Sequence, residues 1–368
     1  MSTERIQRIG VLTGGGDCPG LNTVIRVVTK AAILEQHLEV VGIEDGYLGL
    51  IEDRMRPLTF DAVSNILDRG GTILGTSNKA DPSRFCVGHD AGGRPIFADV
   101  SDRVLANVRA RGLDALVCIG GDGTMSGAAR LAARGLRIIG VPKTIDNDLL
   151  HTEVTFGFDT ALSIATDALM RLRTTASSHQ RVMLLETMGR NAGWIALHAG
   201  IASGADIILI PEIPFQLEAV CAHCLDRSRR GRAYTLIAVA EGAKPVGGEP
   251  VVDRIVHESP DPVRLGGVSV VLCGQIAERT KLETRATILG HIQRGGTPTA
   301  RDRVLATEFA HHAMILLREG RFNQMVALQQ GRLTSVPLAE VADRQRTVPV
   351  DDHLIAAGRA VGTSFGDR

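Results

Sequence analysis

Ala115–Thr124 reads Ala-Leu-Val-Cys-Ile-Gly-Gly-Asp-Gly-Thr. Five apolar residues are too few for a helix and carry no polar alternation, so they read as a strand covered on both faces. The glycines that follow at once make a tight turn whose backbone N–H groups can approach an anion. The same grammar recurs on either side. Arg8–Leu12 runs into Thr13-Gly14-Gly15-Gly16-Asp17-Cys18-Pro19-Gly20, and Arg137–Val141 runs into Pro142-Lys143-Thr144-Ile145-Asp146-Asn147-Asp148.

Further strand candidates are Leu38–Ile43, Arg181–Glu186, Asp206–Ile210, Thr235–Ala240, Glu283–Leu289 and Met325–Leu328. Amphipathic stretches lie between them, at Asn22–Glu35, Asp102–Arg111, Met125–Arg134 and Asp159–Arg173. Strand and helix alternate, which predicts an α/β fold with mostly parallel sheets and right-handed crossovers. Asn78–Pro95 and Lys244–Arg264, rich in Gly, Pro and charge, read as surface insertions. No long linker divides the 368 residues, so two lobes joined by several crossings are expected.

Composition bounds the function. Formal net charge is zero, so no global field favours nucleic acid or an anionic membrane, and any anion site must be local. Aromatics make up 3%, too few for base-stacking platforms. Cys221 and Cys224 form a lone Cys-x-x-Cys in a predicted helix with no second pair, which reads as packing rather than zinc or redox work. The opening Met1–Gly10 has no long apolar stretch and no 18-residue apolar run occurs, so a cytoplasmic address and no membrane span are expected.

In open parallel sheets, ligands bind beyond the carboxyl ends of the strands, where these loops fall. Asp122 could hold Mg²⁺ between phosphate oxygens. Asp146 and Asp148 would point the same way if their segment is extended, offering a base and a metal partner beside Lys143. Arg181, Arg190, Arg285 and Arg294 are suited to bidentate phosphate contacts. Phosphoryl transfer needs such parts: positioning, a divalent cation, surrounding positive charge and one proton acceptor.

As a set, TGGGDCPGLN, IGGDGT, VPKTIDND, TFGFDTA, LLETMGRNAGW, AEGAK and ETRATILGHIQRGG resemble the 6-phosphofructokinase family, from about Ile9 to Glu319. NAD and lipid kinases share the Gly-Gly-Asp-Gly-Thr loop but have no place for PKTIDND or HIQRGG. A non-catalytic homologue would be marked by loss of Asp122, Asp146 or Asp148, and all are present.

The resemblance implies two Rossmann-like three-layer α/β/α lobes with the active site in the cleft between them. Residues 1–157 plus 293–343 would bind the phosphate donor, and 158–292 plus 344–368 the sugar phosphate. It implies Mg²⁺-dependent transfer from ATP to the 1-hydroxyl of fructose 6-phosphate, with Asp146 as base. Thr144 and Arg190 would steady the transferring group and Asp148 would support the base. Gly14, Gly121, Asp122, Gly123, Thr124, Lys143, Asn78 and Lys79 would serve the donor, with Asp122 on the metal. The sugar phosphate would meet Thr144, Ile145, Asp146, Met188, Gly189, Arg190 and Glu241. Arg181, Arg285, His291 and Arg294 would cage its 6-phosphate, with Ile292 and Gln293 also binding substrate. Arg181 and Arg285 would come from a neighbouring subunit, implying a homodimer or homotetramer. Pyrophosphate is the alternative donor. In the family its users pair Asp at position 123 with Lys at 143, whereas this chain pairs Gly123 with Lys143.

Overall fold

A computed structural model describes residues 6–259 and 262–368. The chain opens with β1 (Arg8–Thr13), α1 (Leu21–Gln36), β2 (Glu39–Ile43), α2 (Tyr47–Glu52) and β3 (Met55–Pro57). It continues with β4 (Phe85–His89), β5 (Pro95–Ala98), α3 (Ser101–Ala110), β6 (Ala115–Gly120), α4 (Asp122–Ala133) and β7 (Ile138–Pro142). Next come α5 (Phe158–His179), β8 (Val182–Thr187), α6 (Trp194–Ser203), β9 (Ile207–Leu209), α7 (Leu217–Arg229) and β10 (Thr235–Ala240). Then follow β11 (Val252–Ile255), β12 (Val263–Leu265), α8 (Val268–Thr280), β13 (Thr284–Ile288) and α9 (Ala300–Arg318). The chain ends with β14 (Gln324–Gln329), β15 (Arg332–Pro337), α10 (Leu338–Val341) and α11 (His353–Ala360).

Two sheets carry the fold, in the orders β15-β14-β7-β6-β1-β2-β3 and β13-β8-β10-β9. The second is parallel throughout, and in the first only the edge strands β3 and β15 run antiparallel to their neighbours. The nine predicted strands all form. Their apolar runs fit because helices cover both faces: α1 and α9 pack together on one side of the first sheet, and α5 and α6 lie on the second.

The register sets the carboxyl ends flush. Thr13 pairs with Ile119, Gly120 with Pro142, Thr187 with Ala240, and Ile288 with Glu186. The predicted chemistry-bearing loops therefore leave the two sheets at matched heights.

Both predicted insertions form antiparallel hairpins, β4–β5 and β11–β12, whose short strands have no fully buried residue and lack the apolar signal of the core. Helix α6 carried no amphipathic signal because it is buried nearly all round. Cys221 and Cys224 are buried on α7 in the core of the second sheet, as the packing reading expected. Among the described residues no helix is long and apolar enough to cross a membrane.

Candidate active site

The loop after β1 is built for close approach. Gly14 donates its N–H to the Ile119 carbonyl at 2.9 Å, and a Cβ on Gly14 would stand 2.6 Å from Oγ1 of Thr124. A side chain there would push the first turn of α4 away, so the two loops interlock only with glycine. Two cations line this loop. Buried Lys143 donates from Nζ to the Gly16 carbonyl at 2.7 Å, and burial pushes its ammonium pKa down. Arg294 packs flat on Gly16 and donates from Nη1 to the Asp17 carbonyl at 3.3 Å.

Asp122 begins α4 and is not in a free loop, so the donor-side carboxylate sits where a helix N-terminus already favours negative charge. Beside it, a Cβ on Gly121 would make ordinary contact with the Lys143 carbonyl oxygen at 3.4 Å, and a Cβ on Gly123 would meet nothing within 4 Å. Gly123 opens on a pocket of about 420 Å³ lined by Asp81, Asp122, Ser126, Arg130, Asp343 and Gln345. Gln345 donates to Oδ2 of Asp122 at 2.6 Å.

The segment after β7 departs from the extended reading. Asn147 has φ of +53°, a left-handed kink, so side-chain alternation is not what relates Asp146 to Asp148. The turn is fixed internally: Thr155 donates from its N–H to Oδ1 of Asn147 at 3.0 Å and from its hydroxyl to the Thr144 carbonyl at 2.7 Å. Thr144 accepts the Asp146 N–H at 3.1 Å, while Ile145 is buried behind it.

Asp146 carries a buried Oδ1 with no hydrogen-bond partner. Leaving such an atom unpaired costs about 1–3 kcal/mol. Burial raises its pKa; Arg294 and Lys143 pull it back, while Asp122 pushes it further up. Asp148 is pushed up to about 8, first by burial and then by the charges of Asp146 and Asp122.

Across the cleft, β8 delivers Met188, Gly189 and Arg190, and β10 delivers Glu241. Gly189 has φ of +132°, and a Cβ there would stand 2.7 Å from the Ala192 carbonyl oxygen, so this turn requires glycine. Burial lifts the Glu241 carboxyl to about 7, with Asp146 and Glu186 adding to the rise and Arg294 and Arg190 opposing it. Asp122, Asp146, Asp148, Glu241, Lys143, Arg190 and Arg294 therefore share one electrostatic neighbourhood drawn from both sheets.

Two of the predicted arginines lie elsewhere. Arg181 and Arg285 precede or begin β8 and β13, at the amino ends of strands whose carboxyl ends face the site. They share the Glu283 carboxylate, at 2.8 Å from Arg181 and 2.6 Å from Arg285. His291 and Ile292 are exposed on the turn Gly290–Arg294, whereas Gln293 is buried and donates to the Gly290 carbonyl at 3.1 Å. Asn78 and Lys79 follow Ser77, whose carbonyl accepts the Gly15 N–H at 3.4 Å, so their segment lies against the loop after β1, and Lys79 is 3.9 Å from Glu258.

The sequence reading missed Glu186 and Gln345. Buried Glu186 accepts from the Gly267 N–H at 2.8 Å and from the Ser269 N–H and hydroxyl at 2.9 and 2.7 Å, capping α8. Its position two residues before Met188 was a usable signal. Gln345 carried none, lying 223 residues from its partner.

Among the described residues no cluster of three or more His, Cys, Asp or Glu could hold a metal alone. Mg²⁺ does not require one, since it is commonly held by one or two carboxylates plus substrate phosphates. The crowded carboxylates and the unpaired Oδ1 of Asp146 fit a cation arriving with a phosphate donor.

The family described as Phosphofructokinase matches residues 8–317. The chain belongs to the phosphofructokinase family. It is 49% identical over 365 residues to "ATP-dependent 6-phosphofructokinase 2" of Clostridium perfringens, covering 99% of this chain and 100% of the relative. It is also 49% identical over 342 residues to the "Pyrophosphate--fructose 6-phosphate 1-phosphotransferase" of Amycolatopsis methanolica, covering 93% of this chain and 96% of that one. Among solved structures, Pichia pastoris phosphofructokinase in the T-state superposes with a TM-score of 0.77 at 31% identity. That match covers 92% of this chain but 36% of the longer yeast chain. These likenesses bear out the two-sheet α/β reading.

Proposed function

We propose that this phosphofructokinase is ATP-dependent and transfers the terminal phosphoryl group to the 1-hydroxyl of fructose 6-phosphate. Full-length relatives named as ATP-dependent 6-phosphofructokinases support the reaction. The observation that carries the site is the unpaired, buried Oδ1 of Asp146 in the field of Arg294 and Lys143.

The steps follow from the residues. Asp146 accepts the proton of the 1-hydroxyl as its oxygen bonds to the terminal phosphorus and the bond to the leaving diphosphate breaks. Its raised pKa makes it a stronger base than an ordinary aspartate. Lys143, Thr144 and Arg190 surround the transferring group, and fixed positive charge in a low-dielectric cleft needs no reorganisation as charge shifts. Asp148, its carboxyl raised to about 8, adjoins and supports the base, and Glu241 binds sugar hydroxyls beside Met188 and Gly189. Asp122 would hold Mg²⁺, which supplies charge neutralisation between donor phosphates.

Gly123 supports ATP over pyrophosphate. The open space around it and the adjoining pocket leave room for an α-phosphate and nucleoside that an aspartate side chain would occupy. Lys143 is tied to Gly16 and serves either donor.

The 6-phosphate would rest on Arg294 and the Gly290–Arg294 turn, completed by Arg181 and Arg285 of a second copy. Exposed Ile288, on the same edge strand as Arg285, and exposed Ile292, on the turn that follows, fit such a self-association. The strands of the first sheet fall within 1–157 plus 293–343, and those of the second within 158–292. Ser364 bridges to Ile207, which supports assigning 344–368 to the second lobe. A cytoplasmic address accompanies the reaction.

The test is purified enzyme with fructose 6-phosphate and Mg²⁺, comparing ATP with pyrophosphate. ATP is expected to give the higher kcat/KM, and a pyrophosphate preference would overturn the donor assignment.

A further inference from the structure

The segment 343–348, between α10 and α11, runs as a strap from the first sheet to the second, and the chemistry described so far does not use it. Its first half lies along one face of α4. The Asp343 N–H donates to Oγ of Ser126 at 2.8 Å, Arg130 donates to Asp343 Oδ1 at 2.9 Å, and Gln345 donates to Asp122 Oδ2 at 2.6 Å. Positions 122, 126 and 130 are spaced four apart, which puts them on one side of a helix.

The second half grips the base loop. Arg346 donates its backbone N–H to the Asp148 carbonyl at 2.8 Å and its Nη1 to the Glu153 carbonyl at 2.7 Å. Its guanidinium lies 4.3 Å from the ring centroid of Trp194, whose Nε1 donates to the Arg346 carbonyl at 3.2 Å. Val348 then donates to Glu212 at 2.8 Å, where the strap joins the second sheet's side of the molecule. Leu149 bridges to Gln345 in antiparallel fashion, so the Gln345 backbone is held by the base loop while its side chain holds Asp122.

We propose that Gln345 is a positioning residue for phosphoryl transfer: its amide fixes one oxygen of Asp122 and turns the other toward the donor's cation and phosphates. The inference rests on the reading of Asp122 as the donor-side metal carboxylate. An ionised carboxylate only accepts, so the NH₂ end of the amide must face it. A partner of this kind selects one rotamer of a metal ligand, and its removal costs roughly 10–100-fold in metal affinity. Because the strap also touches the base loop, Gln345 keeps the Asp122 rotamer in step with the placement of Asp146 and Asp148.

The test uses the full chain and its only tryptophan, Trp194, which reports whether the strap is docked. Gln345→Met keeps the side-chain length and removes the donor, and Gln345→Ala removes both. Water-proton relaxation is followed as Mn²⁺–ATP is titrated with enzyme in the absence of fructose 6-phosphate. In both variants the affinity for Mn²⁺–ATP is expected to fall roughly tenfold or more. In Gln345→Met the KM for fructose 6-phosphate should stay within about twofold and the Trp194 emission should match wild type. Wild-type affinity in Gln345→Met, with Asp122→Ala defective, would overturn the inference and leave the function standing. A shifted Trp194 emission in Gln345→Met would show a strap anchor in place of an orienting group, which also overturns it. Wild-type Mn²⁺–ATP binding in Asp122→Ala would remove the reading of Asp122 itself, and this inference with it.

Discussion

The two ends of β8 are held by opposite electrostatic arrangements. Its carboxyl end, with Met188 to Arg190, meets Asp146, Asp148 and Glu241, whose carboxyl pKa values burial pushes up. Its amino end presents Arg181 and, on the neighbouring strand, Arg285, both paired with one exposed carboxylate, Glu283. The six residues of β8 put roughly 20 Å between these ends. One end therefore crowds carboxyl groups whose ionisation burial opposes, and the other holds two arginines on one shared carboxylate. Arg190 and Arg294 share the crowded end, while Arg181 and Arg285 lie toward the amino ends of their strands.

The largest effect should come from the crowded end. Asp146→Asn should lower kcat by about 10²–10⁴-fold, with fructose 6-phosphate binding by calorimetry largely kept. The wild-type rate should fall on the acid side at a pH above the usual aspartate value of about 3.9, because the base works only when ionised and its pKa is raised. Near-normal turnover of Asp146→Asn would remove the proposed base.

The opposite end should respond next. Arg181→Ala should raise the KM for fructose 6-phosphate by roughly 10–100-fold, the weight of a charged hydrogen-bonded phosphate contact. Mixing Arg181→Ala with Asp146→Asn protein and allowing subunits to exchange should restore part of the activity, because each supplies what the other lacks. No recovery, with mixed oligomers present, would place both residues in one chain's site.

The donor side tests the open position beside the crowded end. Gly123→Asp should fold normally, since its Cβ meets nothing within 4 Å, yet lose at least about tenfold in kcat/KM with ATP relative to pyrophosphate. An unchanged donor ratio would show that Gly123 does not set the preference.

The smallest effect is on stability. The Asp148 carboxyl is raised to about 8 in the fold, above its unfolded value of about 3.9. Its ionisation is thus less favourable in the folded chain, and stability is lost as pH rises from about 4 through 8. In metal-free enzyme Asp148→Asn should raise Tm by a few degrees near pH 8, on the order of what 1–2 kcal/mol gives, and by almost nothing near pH 4. A lower Tm at pH 8 would contradict the buried-charge account.

Much of this was legible before any coordinates. Apolar runs such as Ala115–Ile119 specify strands because only a doubly covered parallel strand needs such a pattern, and the loops after them carry their own chemistry in adjacent residues. The hairpins and α6 were less legible, since exposed strands and a helix buried all round both lack the expected periodicity.

Tertiary structure alone decided the rest. That Asp146 is left unpaired, that Asn147 kinks the base loop, and that Arg181 faces away from Arg190 depend on register and on distant partners. The contact between Gln345 and Asp122 is the clearest case. A sequence encodes local geometry through neighbours a few residues apart. A hydrogen bond closing a loop of 223 residues leaves no local pattern, because it forms only after both sheets have placed their ends.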